Sequence, residues 1–438
     1  MTDAGTGGFE TGASAPSSTA GDAGIGGFER GASAPSPTTS GPVVEEVALR
    51  PSRNHQVDID YVVVGLGALG SGAAWQLATR GHSVLGLEQF ELGHSRGASH
   101  DTSRILRHSY HTPAYVRLTR EAYDDWARLE EESGESLVTV AGGLDLFPPD
   151  CVIRPDDYVA SLAAEGIEFE ELDVDEIRRR WPQFHPPAGT LGLFQQRGAI
   201  VPAARGTAAM QRLASGAGAT LVGSAPVTRL IDHGTHLVVE AGDTMYTCRG
   251  VIVAADAWTN QVLAGLGVEI PLTVTLEQPT YFAPPDPAAY RDLPVWIWMD
   301  EPSYYGFPCY GEDTVKAAQD CGGPVVDPDR RTSEPDPEML ERLTEFVGSL
   351  LPGTGPAVRA LRCQYTLTPD RDFVLAPVPG HPSVVVGLGS AHGFKFAPTF
   401  GRILADLVST GETGSDVSAF GFDRPGLTDP AYEANWMV

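Results

Sequence analysis

The run Gly65-Leu66-Gly67-Ala68-Leu69-Gly70 follows directly on a short apolar stretch and directly precedes an amphipathic helical one. Few short motifs restrict a fold as much. Residues 61–64 (YVVV) have the branched, apolar character of a strand buried on both faces. The first glycine permits a tight turn, the second lets the backbone approach a pyrophosphate, and the third lets helix and strand pack closely. A helix is expected over residues 68–80, stopped by Gly81, with a second strand over 83–87. The unpaired N–H groups and dipole at the start of that helix suit a phosphate. A β-α-β unit therefore opens the fold, with a dinucleotide at its glycine turn. Glu88 closes the second strand 18 residues after Gly70, where a carboxylate accepts hydrogen bonds from ribose hydroxyls and disfavours a 2′-phosphate. A tight turn without a ligand is the plainer alternative, and the complete unit argues against it.

The glycine motif by itself fits FAD and NAD alike. Two later stretches favour FAD. Val227 is read as following a strand that passes beneath an adenine. Residues 250–258 (GVIVAADAW) form an apolar strand running into small residues, similar to the second dinucleotide-contacting strand of many flavoproteins.

A chain of 438 residues, 42% of them hydrophobic, is long enough for two domains or one interleaved pair. No apolar run reaches the roughly 20 residues of a membrane helix. The N-terminus lacks a basic stretch followed by an apolar one, so no secretory leader is expected. The net charge of −27 repels nucleic acid and anionic lipid, which sets both aside as partners. The five cysteines (Cys151, Cys248, Cys309, Cys321 and Cys363) are odd in number and form no CxxC pair. That pattern is neither a disulfide framework nor a metal site, and it suits a reducing, cytoplasmic compartment. Nearly every basic residue is arginine, and the two lysines are Lys316 and Lys395. A compositional bias explains why lysine is rare but not where the two survivors sit.

Residues 1–56 are rich in Gly, Ala, Ser, Thr and Pro, and residues 3–17 (DAGTGGFETGASAPS) recur almost unchanged as 22–36 (DAGIGGFERGASAPS). Such a segment cannot bury enough surface to offset its ordering entropy, so a disordered tail is expected. A docking peptide through Phe9 and Phe28 is the alternative. Folded sequence is expected from Val57. Residues 114–133, rich in Glu, Asp and Arg, read as a long exposed helix. Strand-like residues 142–147 and 281–283 alternate with short helices over 175–181 and 206–215, and apolar runs return at 250–254 and 383–387. The expected fold class is α/β plus α+β. A Rossmann-like FAD-binding domain, from segments of about 57–140, 200–260 and 360–438, interleaves with a β-sheet-based catalytic domain from about 141–199 and 261–359.

Five stretches, in order, resemble the monomeric sarcosine oxidase and N-methyltryptophan oxidase family of the D-amino-acid-oxidase-like flavoproteins. They are residues 61–70, 104–110 (RILRHSY), 304–316 (YYGFPCYGEDTVK), 363–366 (CQYT) and 391–396 (AHGFKF). The resemblance runs from about Val57 to the C-terminus. It implies FAD and the oxidation of a secondary amine bearing a carboxylate, with hydride to flavin N5, hydrolysis of the imine, and reoxidation by O2 to give H2O2. It implies a monomer. It also implies that Cys363 carries the flavin through its 8α carbon, and that Arg107 and Lys395 hold the carboxylate, the one as a planar fork and the other as a point charge. Lys316, 11 residues after Tyr305, would activate O2 as a fixed cation. Tyr305 and Tyr365 would orient the substrate, and Arg104 would lie close to the flavin ring. His392, with Gly393, Phe394 and Lys395, would follow the pyrimidine side, where a backbone N–H rather than the imidazole is the expected contact. Each residue also has a plainer reading: Cys363 as a small buried hydrophobe, the cations as ordinary ion pairs or an exposed strand lysine, and the tyrosines as packing aromatics.

Two positions depart from that pattern. Asp320, four residues past Lys316, stands where sarcosine-type members carry a pocket histidine. An acid at the substrate nitrogen favours a cationic or more polar amine and disfavours a second carboxylate. Ala391 replaces a glycine. Both point away from sarcosine itself, toward a bulkier amino acid, a cyclic imino acid or a pathway intermediate. A flavin dehydrogenase or multi-step oxidase of a biosynthetic pathway is the runner-up reading, and a flavoprotein that binds its nucleotide without turnover is the third.

Overall fold

A computed structural model describes residues 59–436. The expectations for the tail over 1–56 and for the start of the fold at Val57 lie outside the described residues.

The first of two large sheets is built around the strand Ile59–Val64, which pairs in parallel with Val84–Leu87 on one side and Thr244–Val253 on the other. Thr220–Val222 extends the sheet beyond Val84–Leu87, and His381–Leu388 pairs with the end of Thr244–Val253, both in parallel. Val62 and Val64 enter one apolar cluster with Leu85, Leu87 and Val251, whereas Val63 enters another with Ala73, Leu77 and Phe400. Alternate side chains thus reach two separate cores, which is why the strand reads as an unbroken valine run. The helix Ala68–Thr79 links the first two strands and packs against Ala203–Gly216 and Ala397–Thr410. Val227–Asp232, Leu237–Ala241 and Thr244–Val253 add an antiparallel meander.

The second sheet has eight strands in the spatial order Ala357–Ala360, Thr280–Phe282, Val315–Gln319, Tyr304–Phe307, Val295–Trp298, Gly143–Phe147, Leu191–Gln195 and Glu170–Leu172. Every neighbouring pair is antiparallel except Val295–Trp298 with Gly143–Phe147. Strands of the first sheet come from residues 59–87, 220–253 and 374–388, and strands of the second from 143–195 and 280–360. The interleaved α/β and β-sheet architecture expected from the pattern is therefore the one observed. Two smaller antiparallel sheets, Thr273–Glu277 with Cys363–Leu367 and Arg104–Leu106 with Ala199–Val201, carry further site residues. Among the described residues, no helix is long and apolar enough to cross a membrane.

The helix expected to be exposed over 114–133 is Pro113–Ser133, and one side of it is buried. Pro113 suits its first turn, and Gly134 ends it in the left-handed conformation at φ 69°. Tyr115, Val116, Leu118, Ala122, Trp126 and Leu129 recur three and four residues apart and face the core, while Arg117, Arg120, Asp124 and Glu131 face outward. The charged residues between these apolar ones disguised the stripe. The Trp126 indole Nε1 donates to the Lys395 carbonyl at 2.7 Å, so this helix fixes the turn that carries one of the two lysines.

Candidate active site

The parallel strands of the first sheet end side by side along one long cavity. Gly65 follows Ile59–Val64, Glu88 follows Val84–Leu87, Ala254 follows Thr244–Val253 and Gly389 follows His381–Leu388, and all four line it. This is the end at which open α/β sheets bind their ligands. The cavity continues past Arg104, Cys363 and His392 to Tyr305 and Asp320 on the second sheet.

At the nucleotide end, Gly65 has φ 89°, and a Cβ there would overlap the Ala254 carbonyl. Gly67 lines the cavity. Gly70 does not reach it; a Cβ there would overlap the carbonyl oxygen of Gly65, so this glycine seats the helix against the turn. The Glu88 carboxylate accepts from Leu66 N–H at 2.9 Å and Phe90 N–H at 3.1 Å, with His94 Nε2 at 3.3 Å. Burial pushes this carboxyl up, but His94, Leu66 and Phe90 outweigh burial and hold it below the usual range. The acid is thus ionised and fixed. Val227 lines the cavity; it comes after the strand Thr220–Val222 and begins the strand Val227–Asp232.

At the other end, three cations converge. Arg107 donates to Asp145 Oδ1 at 3.0 Å, with both side chains buried. Burial pushes the Asp145 carboxyl up and Arg107 opposes that shift. Arg371 Nη2 lies 2.8 Å from Asp320 Oδ2, and its Nη1 donates to the carbonyl of Trp436. Lys395 Nζ donates to Tyr110 Oη at 2.8 Å and to the His392 carbonyl at 2.9 Å. Burial, then Arg107 and Arg371, push this lysine well below its ordinary value, and Asp320 opposes them. No carboxylate among the described residues bonds to Lys395. His392 stays neutral, since burial and then Lys395 and Arg371 depress its pKa strongly. Its Nδ1 lies 3.0 Å from Tyr110 Oη and its Nε2 3.0 Å from the Arg371 carbonyl. One assignment satisfies every partner: Lys395 donates to Tyr110, Tyr110 donates to Nδ1, and Nε2–H donates to the carbonyl. Both ring nitrogens are therefore engaged within the protein. Gly393, Phe394 and Lys395 lie in the short helical turn Gly393–Phe396 and line the same wall.

Between the two ends, Cys363 starts the strand Cys363–Leu367, with its Sγ 3.9 Å from Arg104 Nη2. Burial pushes the thiol up, and Arg104 and Lys316 oppose it. Tyr365 Oη, from the same strand, lies 3.5 Å from Tyr305 Oη on the second sheet. Lys316 is brought near but is not part of the cavity wall. Its ammonium lies behind Phe307, paired with Asp101 at 2.6 Å. Asp320 lines the cavity with its carboxylate paired to Arg371.

Residues 60–407 match the DAO family, described as FAD dependent oxidoreductases. The chain belongs to this family. Monomeric sarcosine oxidase of Streptomyces avermitilis is 35% identical to this oxidoreductase over 372 residues, covering 82% of this chain and 96% of that protein. Peroxisomal sarcosine oxidase of Homo sapiens is 31% identical over 375 residues, covering 83% and 96%. Among solved structures, NikD, an unusual amino acid oxidase essential for nikkomycin biosynthesis, has a TM-score of 0.74 at 29% identity, covering 83% of this chain and 97% of that one. L-proline dehydrogenase from P. horikoshii has the same TM-score of 0.74 at 20% identity and shares the fold. The family read from the five motifs is the family found.

The residues of the oxidoreductase fit FAD. The turn brings the backbone of Gly65 and Gly67 to the cavity wall, a helix N-terminus follows it, and an ionised acid stands where a ribose needs one. Three non-glycine residues with left-handed backbone also line the cavity: Asp256 at φ 47°, Arg371 at φ 58° and Ala391 at φ 69°. Such backbone costs about 1–3 kcal/mol per residue and clusters at functional sites. Ala391 thus bears strain at the position where the resemblance has glycine. Gly70→Ala is expected to cost the oxidoreductase about 1–3 kcal/mol and to lower its flavin content, read from the visible-to-ultraviolet absorbance ratio. An unchanged Tm and flavin content would show that the helix can shift to admit the methyl group.

Tyr110, Asp101, Asp145 and Arg371 were not singled out from the sequence. Tyr110 ends the RILRHSY stretch and was within reach of a residue-by-residue reading. Nothing local marks Arg371, an arginine in a Pro-Asp turn, as buried.

Proposed function

We propose that this oxidoreductase oxidises the C–N bond of a secondary amine or amino acid bearing one carboxylate, with O2 as electron acceptor and H2O2 as product. The observation that carries this reading is charge. Arg107 is paired with Asp145 and Arg371 with Asp320, which leaves Lys395 with no carboxylate among the described residues in a buried wall; an anionic ligand is what would hold it as an ammonium. Lys395 and Arg107 take the substrate carboxylate. Tyr305 and Tyr365 orient the amine. Because Arg371 neutralises Asp320, the amine nitrogen need not form an ion pair and keeps the lone pair that loss of hydride from the neighbouring carbon requires. FAD, when bound, supplies the hydride acceptor at N5. The division into FAD-binding segments (about 57–140, 200–260 and 360–438) and catalytic segments (about 141–199 and 261–359) goes with this reading, as do a monomeric state and a cytoplasmic location.

The test is the visible spectrum of the holoprotein under anaerobic conditions with sarcosine, N-methyl amino acids, pipecolate, proline and glycine. Bleaching by a carboxylate-bearing amine, and not by its decarboxylated analogue, is expected. Equal bleaching by both would overturn the carboxylate anchor.

Cys363 is the residue we place at a covalent flavin link. Arg104 and Lys316 are the cations that favour the thiolate such a bond needs. Trichloroacetic acid should leave the flavin in the protein pellet, and Cys363→Ser should release it to the supernatant. A colourless pellet from the yellow wild-type protein would rule the link out.

A second reading, a dehydrogenase that passes electrons to an acceptor other than O2, draws on one observation: Lys316 stands outside the cavity wall with its charge paired.

A further inference from the structure

We propose that Asp101 is a positioning residue for the oxygen half-reaction: it is the counterion that keeps Lys316 an ammonium beside the flavin site. The inference rests on the role given above to Lys316.

Lys316 Nζ donates to Asp101 Oδ2 at 2.6 Å, to the Ser103 carbonyl at 3.1 Å and to Ser103 Oγ at 3.2 Å. The lysine and aspartate side chains are each 4% exposed, so water does little to screen or solvate either charge. The second carboxylate oxygen, Oδ1, accepts from the Tyr281 hydroxyl. Arg104 Nη1 stands 3.9 Å from Oδ2. A buried lysine and a partly buried arginine therefore share one acid.

Every neighbouring element leaves Asp101 in that position. His100 and Arg104 face the lysine from its own side of the loop, and Cys363 faces it from the strand Cys363–Leu367. The strand Thr280–Phe282 presents the ring and hydroxyl of Tyr281, which carries Arg359 on its face at 3.9 Å. The strand Tyr304–Phe307 presents the Phe307 ring, 4.9 Å from Nζ. The helix Pro337–Leu350 shares an apolar cluster with Val315 and Ala317, the neighbours of Lys316 on its strand. Among the described residues, Asp101 is the one carboxylate within 4.0 Å of the ammonium. It is held there by a left-handed backbone at φ 81°, a conformation aspartate tolerates better than most residues.

The electrostatic balance follows. Burial and Arg104 push the lysine down and Asp101 pushes it back, leaving it at about 8. Without Asp101, the ammonium would face Arg104 in a dry site and would give up its proton near neutrality.

The composition makes a direct test possible, because the chain has two lysines, Lys316 and Lys395. Holoprotein labelled with 13C-lysine gives two side-chain Cε signals, and Lys395→Met assigns them. In wild type the Lys316 signal should titrate near 8. In Asp101→Asn it should titrate at least about one pH unit lower, with Asp101→Glu restoring much of the shift. Asp101→Gly, which the left-handed backbone suits, serves if the asparagine variant does not fold. Stopped-flow reoxidation by O2 at neutral pH should slow about tenfold or more in Asp101→Asn and recover on acidification, while anaerobic reduction keeps its wild-type rate. A Lys316 titration that stays in place or moves upward in both neutral variants would overturn the proposal. If the titration shifts as expected while Lys316→Met reoxidises at the wild-type rate, Asp101 still holds the charge and the oxidase role of Lys316 is what fails.

Discussion

Replacing Lys395 with methionine lowers kcat/KM for a carboxylate-bearing amine by about 30- to 1,000-fold and leaves the flavin content of the protein unchanged. Removing one partner of a buried, hydrogen-bonded charge pair costs about 2–4 kcal/mol, and each 1.4 kcal/mol is about tenfold. Lys395 has two neutral oxygens as partners and meets the ligand as an under-compensated charge. The sign of the pH dependence follows from its environment. Burial, Arg107 and Arg371 depress the lysine in the free site, so above that depressed value it is neutral. A bound carboxylate favours the ammonium, and binding there takes up a proton. Affinity for an unreactive carboxylate such as propionate therefore falls as pH rises through the titration of Lys395. The variant loses this limb. Flavin absorbance titrations across the neutral and alkaline range, in both proteins, decide it. If the variant keeps both affinity and pH dependence, the anion is anchored by Arg107 and Arg371 alone.

Lys316→Met slows reoxidation by O2 by about 100- to 1,000-fold, the cost of losing one preorganised electrostatic stabiliser. Anaerobic reduction by substrate proceeds as before, so stopped-flow measurement of the two half-reactions separates the effect from substrate binding. In wild type the lysine is depressed to about 8. Its charge is fully present below that pH and is lost as pH rises through it. Reoxidation should slow over the same range, and the variant should show no such limb. Reoxidation at the wild-type rate in the variant would favour the dehydrogenase reading.

What was legible beforehand differs between the two ends of the cavity. At the nucleotide end the causes are local: a valine run, three glycines, a helix and an acid lie within 30 residues, and each acts on its immediate neighbours. The structure agrees there: Gly70 seats the helix against the turn, as its place in the motif implies. At the cation cluster, motif resemblance named Arg107, Lys395 and Asp320 but none of their partners. The partner of Asp320, Arg371, lies 51 residues away, beyond the reach of any local pattern. The pairing of Lys316 with Asp101 joins residues 215 apart and lies equally beyond any local pattern. The acidic helix was read as exposed because its charged residues mask a stripe that shows only once the helix faces a core.

The sequence alone determined the elements whose causes lie within a few residues: the strand that must be buried on both faces, the turn that needs glycine, the helix end that offers free N–H groups, and the residue types able to hold a carboxylate. Tertiary structure alone decided which charges are paired and which are left over. Lys395 faces the cavity with neutral partners while Lys316 and Asp320 are each matched by an opposite charge, and residues far apart along the chain set that difference. Burial makes it consequential, because a charge removed from water takes its protonation state and its need for a partner from whatever the fold places within a few ångströms.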